Sequence, residues 1–338
     1  MRVVLIELFN YHSECLFSQV SFLKDAKVDV TLVVNKKLEN IVNELNLGVD
    51  LITYDFKKIR SLLKLRSFIL KNKTDVVILN TIQGSTALKF SFLPFPKQIK
   101  ILGILHDTSK LETSLGQKII ATRFNRFYTL GKYVQVINAK REKYNTTYFN
   151  PCYFSDYKIE DVNKGNNILI TIPGSISFKR RSYDVMIELA KNRRLAENVK
   201  FVLLGNIKKE DGPQFLDIIV REGLEHRFIV FDQFIPGSLF YSYLSQSDYL
   251  LPLIHPETPA AKQYTKNKIS GIFPLSQAFG KTMLCHRMFD TVEDFEYPKC
   301  FYNSVDECVS LITNSKKDST FVFPNYEEDK ARYLSLID

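Results

Sequence analysis

Two apolar patterns alternate along the chain. Short continuous runs rich in Val, Ile and Leu predict buried strands: "VVLIEL" (3–8), "VDVTLVV" (28–34), "DVVILN" (75–80), "IKILGIL" (99–105) and "YVQVIN" (133–138). Between them, "ECLFSQVSFLKDA" and "KKIRSLLKLRSFILKN" bring apolar residues back at helical spacing. Strand–helix alternation predicts a parallel sheet covered on both faces, which explains why the strand runs are apolar throughout. The rhythm stops at 145–167, where Pro151, Gly165 and many polar residues read as an interdomain linker. It resumes with "ILITI" (168–172), "KFVLLG" (200–205), "FIVFD" (228–232), "DYLLPLI" (248–254) and "TMLCH" (282–286). Helices are predicted at about 182–192, 212–223, 237–246 and 271–280, and "YEEDKARYLSLID" closes the chain as a helix.

The pattern predicts an α/β protein of two doubly wound, Rossmann-like domains, 1–155 and 166–322, facing across a cleft. In open parallel sheets ligands bind beyond the carboxyl ends of the strands, so the cleft between the facing strand ends is the expected site.

Bulk numbers narrow the class. At 338 residues the chain exceeds one ordinary core, and 45% hydrophobic with 25% charged residues is a globular balance. No apolar run approaches the roughly 20 residues of a membrane-spanning helix. The opening "MRVVLIELFNYHSECLF" reads as a first strand, not a secretory signal. Five scattered cysteines with no C-x-x-C pair argue for a reducing compartment, hence the cytoplasm, and against zinc. The net charge of +9 favours an anionic partner: nucleotide, nucleic acid or acidic lipid headgroup. There is no aromatic–arginine interleaving and no zinc-finger spacing, so nucleic acid is not expected.

The chemistry concentrates at predicted strand ends. In "ITIPGSISFKRRSYDVMIELA" (170–190), Gly174 permits close backbone approach, and Ser175 and Ser177 offer donors. Lys179, Arg180 and Arg181 then precede a helix whose first amides carry its positive dipole end, which together describe a diphosphate cradle. A solvated basic turn capped by Ser182 would have the same sequence. In "KQYTKNKISGIFPLSQAFGKTMLCH" (262–286), Lys266 and Lys268 precede Ser270 and Gly271, which open a helix that can cap itself or bind an anion. "GILHDTSKL" (103–111) puts His106 and Asp107 at a strand end, where a histidine can donate to a sugar hydroxyl or a phosphate, or serve as a structural histidine. "NYHSECLF" (10–17) clusters Tyr11, His12 and Glu14 after the first strand, although Glu14 also suits a first helical turn electrostatically. "FKKIRSLLKLRSFILKNK" (56–73) is basic on one side and apolar on the other, as a membrane-surface helix is, and as a packed helix with a solvated lysine face is.

These segments resemble the nucleotide-sugar glycosyltransferases of the GT-B fold, family-4-like. The resemblance is carried by "IPGSISFKRRSYDVMIELA", "KFVLLGN", "IVFDQFIPGSLFYSYLSQSDYLLPLI" and "SGIFPLSQAFGKTMLC". It implies an acceptor domain at 1–155, a donor domain at 166–322, and a terminal helix (323–338) crossing back to the first domain. It further implies that Lys179 and Arg180 hold the donor diphosphate with Gly174, Ser175, Ser177, Lys268, Ser270 and Gly271. Gly205, Phe234 and Ile235 would lie near the base, His106 would meet the donor sugar, and Tyr11, His12 and Asp107 would face the acceptor. The family's E-x7-E pattern is replaced by Asn267 and Leu275, and "NYHSEC" lacks the glycine pair usual after the first strand.

The expected activity is therefore transfer of a sugar from a nucleotide diphosphate to a glycan or lipid-linked acceptor in bacterial surface-polysaccharide synthesis. No metal and no cofactor beyond the nucleotide-sugar is expected, with peripheral contact at an acidic membrane surface as a further expectation. Lys179, Arg180 and the amides near Ser270 would stabilise the departing diphosphate. A configuration-inverting reaction would need Glu14 or His12 as base. The alternatives are a GT-B-shaped epimerase or phosphorylase, or a non-catalytic sugar-nucleotide or glycan-binding protein.

Overall fold

The computed structural model describes residues 1–135, 144–154 and 156–338. The chain divides into two compact units. The first comprises Met1–Ser155, Asn267–Ile269 and Pro324–Asp338, and the second Asp156–Lys266 and Ser270–Phe323.

The first unit is built on β1 (Arg2–Glu7), β2 (Asp29–Asn35), β3 (Asp50–Tyr54), β4 (Val76–Leu79), β5 (Lys100–Leu105), β6 (Arg126–Leu130) and β7 (Asn145–Phe149). They form one sheet in the order β3-β2-β1-β4-β5-β6-β7, every pair parallel. The order reverses between β1 and β4, so the carboxyl ends of these two strands flank a topological switch point. Helix Ile59–Lys71 packs on the sheet through Leu62, Leu65 and Ile69, all buried at helical spacing. Each such burial is worth roughly 1.5–3 kcal/mol. The closing helix Tyr326–Leu334 lies in this unit. Its Tyr333 stacks on Tyr128 at 4.5 Å, and its Tyr333 carbonyl accepts the Tyr128 hydroxyl at 2.6 Å.

The apolar pattern missed three strands here. β3 and β7 are sheet edges, and "DLITY" and "NTTYF" need little burial there. The expected linker at 145–167 therefore begins as strand β7. β6, "RFYTL", carries mixed polarity although its last four residues are buried. The strand expected at 133–138 is corrected: Lys132–Val134 is a single 3-10 turn, and residues 136–138 lie outside the described residues. Pairing to β5 had already been taken by 126–130.

The second unit contains β8 (Ile168–Pro173), β9 (Val199–Asn206), β10 (Phe228–Phe231), β11 (Tyr249–Leu250), β12 (Met283–His286) and β13 (Lys299–Tyr302). These are ordered β10-β9-β8-β11-β12-β13, again all parallel, with the switch point between β8 and β11. The four predicted helices occur at Tyr183–Lys191, Gly212–Arg221, Gly237–Gln246 and Ile272–Phe279. The strand expected over 248–254 shortens to two residues, because Leu253 turns into the left-handed region (φ 55) and its carbonyl accepts the Ser182 amide at 2.8 Å. β13, a four-residue edge strand, was too short to signal itself. Among the described residues no helix is long and apolar enough to cross a membrane.

Candidate active site

At the switch point of the first unit, β1 ends in Glu7, a carboxylate buried with no solvent exposure. Its register explains the placement: Ile6 pairs with Leu79, so Glu7 faces the residues just past β4. Glu7 Oε1 accepts the Phe9 amide at 2.7 Å, while Oε2 accepts Asn80 Nδ2 at 2.6 Å and the Thr81 hydroxyl at 2.7 Å. Burial nevertheless wins over these bonds and lifts the Glu7 carboxyl to about 7.

Asn80 is the hub of the cluster. Its Nδ2 also donates to the His12 carbonyl at 2.8 Å, and its Oδ1 accepts Gln19 Nε2 at 2.6 Å. Its own carbonyl accepts His106 Nε2 at 2.8 Å. Because a carbonyl can only accept, His106 carries its proton on Nε2 and leaves Nδ1 as an acceptor. The Gln83 side chain fixes the same turn by accepting the His106 and Asp107 amides at 2.9 and 3.0 Å.

The loop after β1 lacks glycine, yet His12 takes a left-handed conformation (φ 65), the region glycine would otherwise occupy. This strained turn lays the His12 ring flat on His106, with centroids 3.7 Å apart and planes 12° apart. His12 Nδ1 pairs with Glu14 Oε1 at 3.0 Å. Burial pushes the Glu14 carboxyl up, but the hydrogen bond and charge of His12 outweigh it, and the group sits below the usual carboxylate range. His106 is driven down to about 3 by burial first and by the neighbouring His12 second. It is therefore neutral at neutral pH. The expectation that His106 donates to a ligand is corrected: its one proton is committed to Asn80, and only an acceptor nitrogen remains.

Tyr11 is exposed, stacked on Phe9 at 5.2 Å and edge-on to His12 at 4.8 Å. Asp107 is engaged internally. Its Oδ1 accepts the Ser109 amide and hydroxyl, and its Oδ2 pairs with Lys268 at 3.2 Å. Lys268, grouped with the donor residues by sequence, belongs to the first unit with Asn267 and Ile269.

In the second unit the loop after β8 turns at Gly174, whose φ of 96 excludes most other residues. Gly205 on β9 is packed against it: a Cβ at 205 would lie 2.3 Å from the Gly174 carbonyl oxygen. Its glycine is thus required by strand-to-loop packing. The three cations behave differently. Lys179 is exposed. Arg180 is tied by Nη2 to the Ser175 hydroxyl and to Glu210 at 2.8 Å. Arg181 donates Nη2 to the Pro173 carbonyl, while its Nη1 is shielded from solvent with no hydrogen-bond partner. An unsatisfied buried guanidinium nitrogen is costly unless an anion completes it. Ser177 is buried, and its carbonyl accepts the Arg180 and Arg181 amides at 3.0 and 3.1 Å, which holds the basic turn closed.

Ser182 does not cap the next helix; its hydroxyl donates to Glu257 Oε1 at 3.0 Å. Glu257 lies beside His255, whose Nε2 meets the Tyr302 hydroxyl at 2.7 Å. Burial drives His255 down to about 4 and holds the Tyr302 phenol well above its usual range, so the phenol donates to a neutral imidazole. Ser270 accepts the Phe273 amide through its carbonyl, and Gly271 caps helix Ile272–Phe279 with open space around its Cα. Phe234 is 70% exposed and Ile235 half-buried just beyond the end of edge strand β10. Among the described residues no group of three or more His, Cys, Asp or Glu is arranged to hold a metal.

Sequence reasoning missed Glu7, Asn80, Gln83 and the His255–Tyr302–Glu257 set. Only Glu7 left a trace, as an acid ending the apolar run "VVLIEL".

No family model and no curated protein matches the sequence. Solved structures do match the whole chain. HepE of Anabaena, crystallised with UDP and glucose, superposes with a TM-score of 0.61 at 13% identity, over 100% of this chain and 96% of that one. A putative UDP-N-acetylglucosamine 2-epimerase of Listeria monocytogenes gives 0.65 at 13% identity, over 99% and 95%. A glycosyltransferase of Rickettsia africae gives 0.59 at 12% identity, over 99% and 93%. The likeness establishes the fold: two Rossmann-like, parallel-sheet α/β units of the GT-B type.

Proposed function

We propose that the protein is a nucleotide-sugar enzyme, family-4-like, that transfers a sugar from a nucleotide diphosphate to a glycan or lipid-linked acceptor. The observation that carries this reading is the unpartnered Arg181 Nη1 beside left-handed Gly174, with exposed Lys179 next to it, at the carboxyl end of β8. A diphosphate oxygen would satisfy that nitrogen and gain one further cation, Lys179, whereas Arg180, expected from the sequence to hold the diphosphate, is already paired with Glu210. The HepE structures with UDP and UDP-glucose make uridine diphosphate the first nucleotide to test.

Within the first unit, His12 and Glu14 have the geometry of a base and its orienter. Glu14 holds His12 through Nδ1, so a neutral His12 keeps Nε2 as proton acceptor, the arrangement in which a carboxylate fixes an imidazole tautomer. Neutral His106 stacked beneath adds no opposing charge when His12 takes up the acceptor's proton. Lys179 and Arg181 stabilise the charge that grows on the departing diphosphate.

A second reading has its own support: the 2-epimerase of Listeria monocytogenes superposes as well as the transferases do. One set of measurements separates them. Thermal melts with uridine diphosphate at about 100 times its Kd should show roughly 2.7 kcal/mol of stabilisation. Lys179→Ala combined with Arg181→Ala should abolish it. UDP-sugar alone is then followed by NMR. Conversion to an epimer without nucleotide release would establish the second reading. Nucleotide release that requires an added acceptor establishes the first.

A further inference from the structure

The net charge of +9 is not spread evenly. Residues 56–98 hold nine Lys and Arg against one acid, Asp75. That acid accepts the Arg2 amide at 2.7 Å, and the preceding acid, Asp55, lies 3.9 Å from Lys58. The segment contains helix Ile59–Lys71 and helix Ser85–Ser91, both in the first unit. Nothing in the proposed chemistry uses this charge.

The helix Ile59–Lys71 buries Leu62, Leu65 and Ile69, so its opposite side faces outward. That side is not simply polar. Ile59 is 56% and Leu63 51% exposed, one helical turn apart. Arg66 continues the same stripe, and its Nε donates to the Pro94 carbonyl at 2.7 Å. The stripe is thereby tied to the loop that begins at Phe92, which is 61% exposed. Lys57, Arg60 and Lys64, in and just before the same helix, and Lys89, three residues before Phe92, are exposed, and none of the four has an ion-pair partner among the described residues.

We propose that this face docks on a bilayer containing acidic phospholipid, with Ile59, Leu63 and Phe92 entering the interface and the cations meeting the headgroups. A solvated helix face requires no exposed Ile, Leu and Phe close in sequence to exposed, unpaired cations. An acidic surface rewards both: the cations are drawn to it and the apolar side chains leave water on arrival. Duplex nucleic acid would reward only the charge. The inference is independent of the proposed enzymatic activity, because neither a nucleotide-sugar nor turnover enters its test.

The full-length chain is sedimented with phosphatidylcholine vesicles with and without phosphatidylglycerol. Binding is expected only with phosphatidylglycerol, and should weaken with salt. Arg60→Gln with Lys64→Gln should lower partitioning roughly 25-fold, about fivefold per cation. Leu63→Ser and Phe92→Ser should each lower it roughly tenfold while duplex DNA binding stays unchanged. All four residues are exposed, so an unchanged urea midpoint verifies folding. Three outcomes overturn the proposal: no pelleting with phosphatidylglycerol, equal pelleting without it, or binding that ignores the Ser variants and is displaced by DNA.

Discussion

Glu7 makes the structure answerable to a pH titration. In the unfolded chain its carboxyl would lose its proton near 4.5, whereas in the fold it keeps it to about 7. Between those values the folded state binds more protons. Stability from this group is therefore full below about pH 4.5 and is lost as pH rises through about 7. The shift corresponds to about 3 kcal/mol, since one unit is worth 1.36 kcal/mol. Glu7→Gln removes the proton but keeps the size. Its amide cannot satisfy Phe9 N, Asn80 Nδ2 and Thr81 together, so the variant starts about 1–2 kcal/mol less stable at acid pH. That deficit should vanish or reverse at alkaline pH. Urea denaturation of both proteins from about pH 5 to about pH 8.5 measures the difference. His106 acts in the opposite direction: its folded pKa is depressed to about 3, so its stability is lost as pH falls below that of an ordinary histidine. Both proteins keep His106, and the subtraction removes it to first order. If the two stability profiles run parallel, Glu7 is ionised throughout. The three donors would then outweigh burial, and the account of the switch-point cluster would be wrong.

Two other outcomes follow from close contacts. Gly205→Ala forces a Cβ to within 2.3 Å of the Gly174 carbonyl oxygen, so it should cost about 1–3 kcal/mol in urea denaturation and also erase the nucleotide-induced thermal shift. His106→Phe keeps a ring over His12 but strands the Asn80 carbonyl, which should cost about 1–3 kcal/mol and slow turnover while leaving the nucleotide shift intact. A variant with normal turnover would remove His106 from any positioning role.

Much of the fold was legible because it depends on patterns local to the chain. The apolar runs of β1, β2, β4, β5, β8 and β9 are buried on both faces and need no knowledge of their neighbours. The bounds of helix Gly237–Gln246 were read to the residue, since Pro236 and Gly237 mark its start and the apolar period runs to its end. Edge strands were not legible. In "NTTYF" only Phe149 is fully buried, and half a strand of apolar residues does not stand out from a linker. The site divides in the same way. The cations at 179–181 and the histidines at 12 and 106 could be singled out by residue type and position at strand ends. Which cation is occupied could not, because Glu210, the partner of Arg180, lies thirty residues away and reaches it only through the turn after β9.

The sequence by itself determined that this is a parallel α/β protein of two units with cations and histidines at strand ends, because hydrophobic period and turn residues act over a few positions. Tertiary structure alone decided the chemistry of those residues. Glu7 meets Asn80 only because β1 and β4 pair in one register, and His12 rests on His106 only because β4 and β5 then set their ends side by side. Proton affinity depends on burial and on contacts across more than seventy residues of chain, and a linear pattern does not contain those distances.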